Sequence, residues 1–235
     1  MCIRDRWKIG GEFFENYDRV LNRKGGFTKE ITASGIFYNS FIMAFGIASL
    51  SVFVSMMAAY SLVYFKTRFS TLFFWLIFIT LLVPLELRIL PSYQIVSDLN
   101  LLNSYAGLIL PLSASAIATF FFRQYYRSIP EELLEAAKLD GANSWKFFID
   151  FLVPLSKTMV AAMFIFMFVY GYNQYLWPLI MTTSEKYWTV VMGLKMIYGG
   201  NSVDRYTYVI LSLIPPLIII VFLQRLFIQG LFQSK

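Results

Sequence analysis

Glu135-Ala136-Ala137-Lys138-Leu139-Asp140-Gly141-Ala142 interrupts a chain that is otherwise largely apolar, and Pro154 follows thirteen residues after Gly141. Upstream, Pro130 suits the first turn of a helix, where its missing N–H costs no hydrogen bond, and Glu131 and Glu132 fall where the helix dipole favours negative charge. A short helix is therefore expected to begin there, with Leu133, Leu134, Ala136, Ala137 and Leu139 as its apolar contact area. Gly141 can take the left-handed conformation that ends such a helix. Asn143 or Ser144 can cap a second short helix running through Trp145, Phe147 and Phe148. The expectation is a two-helix polar knob with small residues at its turn; an amphipathic loop resting on lipid headgroups fits the same pattern.

What surrounds the insert belongs in a bilayer. The chain is 58% hydrophobic and 14% charged, against roughly 45–50% and about 25% in soluble domains. Its aromatic share of 19% suits lipid-facing surfaces and interfacial belts. The formal charge of +6 comes from Lys and Arg at the ends of apolar runs, not from one basic face, so it reads as a topology signal and nucleic acid is excluded as a partner. His is absent and Cys2 is the single cysteine, which removes disulfides, Cys/His zinc sites and imidazole catalysis. No Gly-x-x-x-x-Gly-Lys-Ser/Thr occurs, so any ATP must be bound by another chain.

An apolar helix needs about 20 residues to cross a hydrocarbon core about 30 Å thick. Five stretches meet that length: Ile36 to Phe65, Phe69 to Leu90, Ser104 to Phe122, Leu155 to Met181 and Tyr206 to Phe227. Pro84, Pro178 and Pro215-Pro216 lie in or near them, where kinks are tolerated if neighbouring helices satisfy the freed carbonyls. Ala44, Gly46, Ala48, Ser49 and Ser51 would let a second helix approach the first span closely.

Sidedness follows from short-loop cations. Lys66, Arg68, Arg123, Arg127, Lys138, Lys146, Lys157, Arg225 and Lys235 make nine on the side of the Glu135 insert, against four (Arg88, Lys186, Lys195, Arg205) on the other. The insert and the C-terminus are therefore expected in the cytoplasm, with the protein crossing its membrane several times. The flank before Ile36 carries seven further Lys and Arg, five of them offset by Asp5, Glu12, Glu15, Asp18 and Glu30, and yet falls outside. A membrane helix preceding the flank would remove that conflict. The chain is thus expected to be an N-terminal truncation, with five visible spans of six and Met1 to Arg6 a sequencing or assembly scar. The implied organisation is an extracytoplasmic flank over 1–35, one all-α transmembrane domain over 36–228 with its cytoplasmic insert at about 123–154, and a tail over 229–235.

Glu86 and Arg88 are the one acidic and basic pair within an apolar span. Placed near the edge of the hydrocarbon core, they suit an interfacial anchor with a snorkelling Arg, or an outer vestibule in which a guanidinium attracts phosphate. Tyr172-Asn173-Gln174-Tyr175 brings adjacent carboxamides into apolar surroundings, where they need partners. Interhelical hydrogen bonding and pore lining both answer that need. The candidate substrate path is accordingly Glu86, Arg88, Tyr172, Asn173 and Gln174.

The insert resembles the EAA loop of ABC importer permeases: Glu-Ala-Ala, a Gly four residues on, nine residues of spacing, then Ile, any residue, Leu and Pro. Here the closing positions are Phe151, Leu152, Val153 and Pro154, so the spacing is kept and the two aliphatic positions stay apolar. The resemblance extends from Phe73 through Pro178, notably Pro84-Leu85-Glu86-Leu87-Arg88, Asn103-Ser104-Tyr105-Ala106-Gly107-Leu108 and Tyr170-Gly171-Tyr172-Asn173-Gln174-Tyr175-Leu176-Trp177-Pro178, and there it is similar to the glycerol-phosphate-importing branch of that family. It implies the transmembrane domain of a type I ABC importer, in which Glu135, Ala136, Ala137, Asp140, Gly141 and Pro154 couple to the ATPase.

The implied partners are a homologous second permease, two ATP-binding subunits that carry ATP and Mg, an extracytoplasmic substrate-binding protein, and membrane lipid. No cofactor is implied in this chain. A permease for a neutral sugar or oligosaccharide belongs to the same branch. An intramembrane enzyme would need a nucleophile and base that the spans lack; a channel or secondary transporter shares their polar residues.

Overall fold

The computed structural model describes residues 13–22, 31–65, 67–196 and 202–232. Met1 to Arg6 and Lys235 lie outside the described residues. Regular structure within them is helical throughout: α1 (Phe13–Asn22), α2 (Ala33–Tyr64), α3 (Ser70–Ile79), α4 (Leu85–Asp98), α5 (Tyr105–Ile109), α6 (Ala116–Ser128), α7 (Glu131–Leu139), α8 (Ser144–Leu155), α9 (Lys157–Tyr172), α10 (Leu176–Met181), α11 (Val190–Met196) and α12 (Ser202–Phe232).

α2 is the mast of the molecule. Its 32 residues span about 48 Å at 1.5 Å each, well beyond the ~30 Å hydrocarbon core. Thr32 caps it, its hydroxyl oxygen accepting from the Gly35 amide at 3.3 Å. Buried residues occur along its whole length, because two apolar clusters are strung on it. At one end Ile36, Met43, Ala44 and Ile47 pack with Phe168, Tyr172, Trp177 and Tyr208. At the other Val52, Met56, Ala59 and Tyr60 pack with Phe122, Tyr126, Phe147 and Leu152. α6 and α9 supply most of the packing against it.

Among the described residues two helices are long and apolar enough to cross a membrane, α2 and Ser202–Gln224 of α12, and up to three further spans exist if each bent pair is counted as one. The second, third and fourth expected spans are therefore not continuous helices. α3 and α4 meet at 106°. Pro84 cannot donate to the Thr80 carbonyl and forces Val83 into an extended conformation at φ −89°, ψ 108°. The Thr80 carbonyl is instead met by the Val83 amide at 3.3 Å. α5 and α6 meet at 46° after Pro111, and α8 and α9 at 75° around Ser156. The expected span from Leu155 to Met181 stops at Tyr172, and Pro178 falls in the first turn of α10, where its missing N–H costs no helical bond.

At the other two bends side chains from neighbouring helices reach the backbone. Ser51 on α2 donates to the Leu112 carbonyl at 3.4 Å, and Ser55, one turn further, donates to that of Ser115 at 3.2 Å. The Tyr125 hydroxyl donates to the Leu155 carbonyl at 2.7 Å beside the α8–α9 bend. α12 stays one helix through Pro215 and Pro216. Pro216 leaves the Ser212 carbonyl without its helical donor, and the Tyr172 hydroxyl fills that place at 3.0 Å.

The end of α2 remote from the Glu135 insert is held by Asn39, whose side chain donates to the Lys186 and Trp188 carbonyls at 2.7 and 3.0 Å and accepts from the Tyr105 hydroxyl at 2.6 Å. α1 packs there too, through buried Val20 and an Arg19–Asp204 ion pair of 3.1 Å. The small residues of α2 act as expected: a Cβ placed on Gly171 would lie 3.1 Å from the Ala44 Cα. Gly171→Val should push α9 off α2 and destabilise the fold by about 1–3 kcal/mol. Thermal unfolding in detergent measures this, and an unchanged midpoint would mean that the helices do not meet at Gly171.

Candidate functional site

Local chemistry builds the insert into the expected pair of short helices. Pro130 proves to be the cap of α7 and not its first residue, with φ −58° and ψ 140°. Glu131 and Glu132 occupy the first turn and Lys138 the last, each matching the dipole. The helix ends in a left-handed turn: Gly141 has φ +74°, its amide donates to Lys138, and the Ala142 amide reaches back to Ala137 at 2.9 Å. Nothing lies within 4 Å of a Cβ placed on Gly141, so backbone conformation and not crowding selects glycine. Asn143 caps α8, its Oδ1 accepting from the Lys146 amide at 2.8 Å.

Within α8 the turns widen to a π-helical stretch over Phe147–Leu152. Pro154 follows after Val153, and its ring would clash with the Asp150 carbonyl in a regular α-helix. The wide turns accommodate it.

The knob sits on the end of α2. Ala137 is the buried residue of α7 and joins the cluster of Tyr60, Phe147 and Phe148. The Tyr60 hydroxyl donates to the Ser144 carbonyl at 2.8 Å. Glu135, Ala136, Asp140, Gly141 and Pro154 are exposed. So is Leu139, at 90%, and Trp145, at 54%. Ala137 thus serves packing, while the other expected coupling residues line the outward face beside two large apolar side chains.

A cavity of about 300 Å³ opens where α3, α4, α5 and α6 break. Thr80, Pro84, Arg88, Ser92, Ser115, Tyr170 and Trp177 are among its lining. Irregular backbone at membrane depth survives where it faces a cavity of this kind. The Trp177 indole donates to the Leu108 carbonyl at 3.2 Å, fixing one wall.

Of the five residues expected on a substrate path, the cavity takes Arg88. It stands with Glu86 in the first turn of α4, just past the break and not inside a continuous span, and both are exposed. Glu86 is not among the lining residues. Tyr172 is buried against α12 in the structural bond to Ser212 described above. Asn173 is the exposed C-cap of α9, and the Gln174 side chain donates to the Tyr170 carbonyl at 3.3 Å. Ser115 and Tyr170 line the cavity beyond the residues expected from sequence. Pro111 followed by Ser115 is a break-and-cap signal that a continuous-span reading of Ser104 to Phe122 passes over.

A polytopic helical bundle with broken spans, a cavity where they break and a projecting knob fits a membrane transport domain. The chain belongs to the family of binding-protein-dependent transport system inner membrane components, whose model matches residues 51–233. It is 48% identical over 203 residues to the sn-glycerol-3-phosphate transport system permease protein UgpE of Yersinia enterocolitica, covering 84% of this chain and 72% of that protein. It is 42% identical over 233 residues to the protein of the same name from Brucella melitensis, covering 96% and 82%. Its fold matches a bacterial ABC transporter involved in the import of the acidic polysaccharide alginate, with a TM-score of 0.77 at 21% identity over 90% of this chain and 79% of that one. The chain is thus a multi-pass membrane transport component.

Asn143→Ala removes the cap of α8 and should cost about 1 kcal/mol, lowering the unfolding midpoint by about 2–4 °C for a chain of this size. Protease sensitivity confined to 140–146 should rise with it. An unaltered midpoint and cleavage pattern would show that the knob does not depend on this cap.

Proposed function

We propose that this chain is the pore-forming permease subunit of an ATP-driven importer for sn-glycerol 3-phosphate. The observation that carries the reading is the connection between knob and cavity: the knob is packed on the end of α2, while α6, which leads into it, begins at the cavity wall. An outward face bearing Leu139, Trp145 and the Gly141 turn offers a partner a surface whose displacement reaches that wall. Identity of 48% to a glycerol 3-phosphate permease supports the substrate.

In this reading the knob faces the cytoplasm with the C-terminus, in agreement with nine Lys and Arg on that side against four on the other. Glu135, Ala136, Asp140, Gly141 and Pro154 meet one of two ATP-binding subunits, which hold ATP and Mg. A homologous permease closes the open side of the cavity, and an extracytoplasmic binding protein delivers substrate to the Asn39 end. Transport needs two packings of similar energy that ATP biases in turn. The bent junctions at Pro84 and Ser156 supply places where helices can pivot without breaking α2.

Arg88 receives the phosphate. A guanidinium presents paired donors to phosphate oxygens, and a charge-assisted hydrogen bond there is strong. Reconstituted with its partner subunits and binding protein, the importer should accumulate glycerol 3-phosphate and not maltose. Arg88→Gln should lower glycerol 3-phosphate uptake about tenfold or more, the equivalent of one charged hydrogen bond, with assembly unchanged. Maltose uptake by the wild-type complex would overturn the substrate, and full uptake by the variant would return Arg88 to an interfacial anchor.

A further inference from the structure

α3 is thinly attached. Among its residues Phe74 is the buried one, while Leu72, Phe73, Trp75, Leu76 and Ile79 are all more than half exposed. Yet α3 leads into the Thr80–Pro84 wall of the cavity, and besides α2 it is α6 that α3 rests on, so the hold on Phe74 bears on where that wall stands. Phe74 is held by α6. The Arg123 guanidinium carbon lies 3.8 Å above the centre of the Phe74 ring, well inside the ~6 Å range of cation–π attraction. Phe120, one turn earlier on α6, stacks on Phe74 at 6.2 Å and meets Phe78 at 5.6 Å. Arg123 Nε is buried with no hydrogen-bond partner among the described residues, leaving the ring face as its electrostatic partner on that side. The other end of α6 points to the knob: Ile129 and Pro130 alone separate it from α7.

We propose that Arg123 is a positioning residue, and that its stacking on Phe74 makes α3 travel with α6 when the knob is displaced. This rests on the importer reading, since it describes how knob motion reaches the cavity. A guanidinium over a ring suits the task because it holds two helices face to face while letting them slide slightly, without a hydrogen bond that must break. A cation that merely snorkelled to the interface would have no need of a ring beneath it.

The test uses the complete reconstituted importer, with glycerol 3-phosphate uptake and ATP hydrolysis measured together. Phe74→Leu keeps apolar bulk and removes the π face; Phe74→Trp keeps the face; Arg123→Gln removes the charge. Phe74→Leu and Arg123→Gln should each lower uptake per ATP hydrolysed about threefold or more. The double variant should be no worse than either single one, and Phe74→Trp should restore the ratio. Spin labels at Leu76 and Ser128, both clear of the knob's outward face, give a readout independent of substrate. Their separation should stay the same between nucleotide-free and vanadate-trapped states in wild type, and change in Phe74→Leu. A wild-type complex that does not transport glycerol 3-phosphate refutes the substrate while the label separation still judges the strut. Equal label behaviour in wild type and Phe74→Leu, losses that multiply in the double variant, or a Trp no better than Leu would each overturn the proposal.

Discussion

A backbone carbonyl released from its helix inside a bilayer finds no water, and the rest of this structure follows from how such carbonyls are satisfied. A transport domain needs broken helices, because a bundle of unbroken ones offers neither a cavity nor a pivot. The carbonyls at the breaks then need donors: the Val83 amide meets that of Thr80 locally, and others are met from elsewhere in the chain. Ser51 serves Leu112, Tyr125 serves Leu155, and Tyr172 serves the Ser212 carbonyl that Pro216 leaves free. These bonds run between helices, so the positions of the breaks and the packing of the bundle are one problem with one solution.

α2 makes that solution possible. It carries an unbroken ladder from Ala33 to Tyr64, and its polar side chains serve others: Asn39 at one end, Ser51 and Ser55 midway, Tyr60 at the knob. The bends at Pro84, Pro111 and Ser156 all belong to helices that pack around it. One long helix thus bears both apolar clusters, surrounded by helices that bend.

The knob was legible in the sequence because its determinants are local. A left-handed glycine, an asparagine cap and glutamates at a helix start are decided within a few residues, and Gly141, Asn143 and Glu131 are found where those rules put them. The broken spans were only half legible. Pro84 and Pro111 mark where a helix can break, but an angle of 106° or 46° is set by packing against distant elements. Tyr172 shows the limit most clearly. A polar residue in a span reads equally as path or as glue, and its role is fixed by Pro216, forty-four positions away, through the Ser212 carbonyl. Arg123 was counted as a topology charge, since nothing in the sequence sets it over Phe74. α1 is faint in the sequence, although Phe13, Tyr17 and Val20 recur at helical spacing, because ten residues are too few to stand out beside membrane spans.

The central claim is that the Gly141 turn of the knob passes ATP-driven motion into the bundle, and substitution of that glycine tests it most directly. Gly141→Asp meets no steric obstacle within the chain, but a Cβ at φ +74° costs roughly 1 kcal/mol or more, and the carboxylate would repel Asp140 beside it. With uptake and ATP hydrolysis measured on the same reconstituted complex, the variant should insert at normal levels and transport poorly. Its ATPase activity should be lost or become independent of the binding protein. Normal uptake with ATP hydrolysis still stimulated by substrate would show that the turn is an ordinary surface loop and that coupling enters the bundle elsewhere.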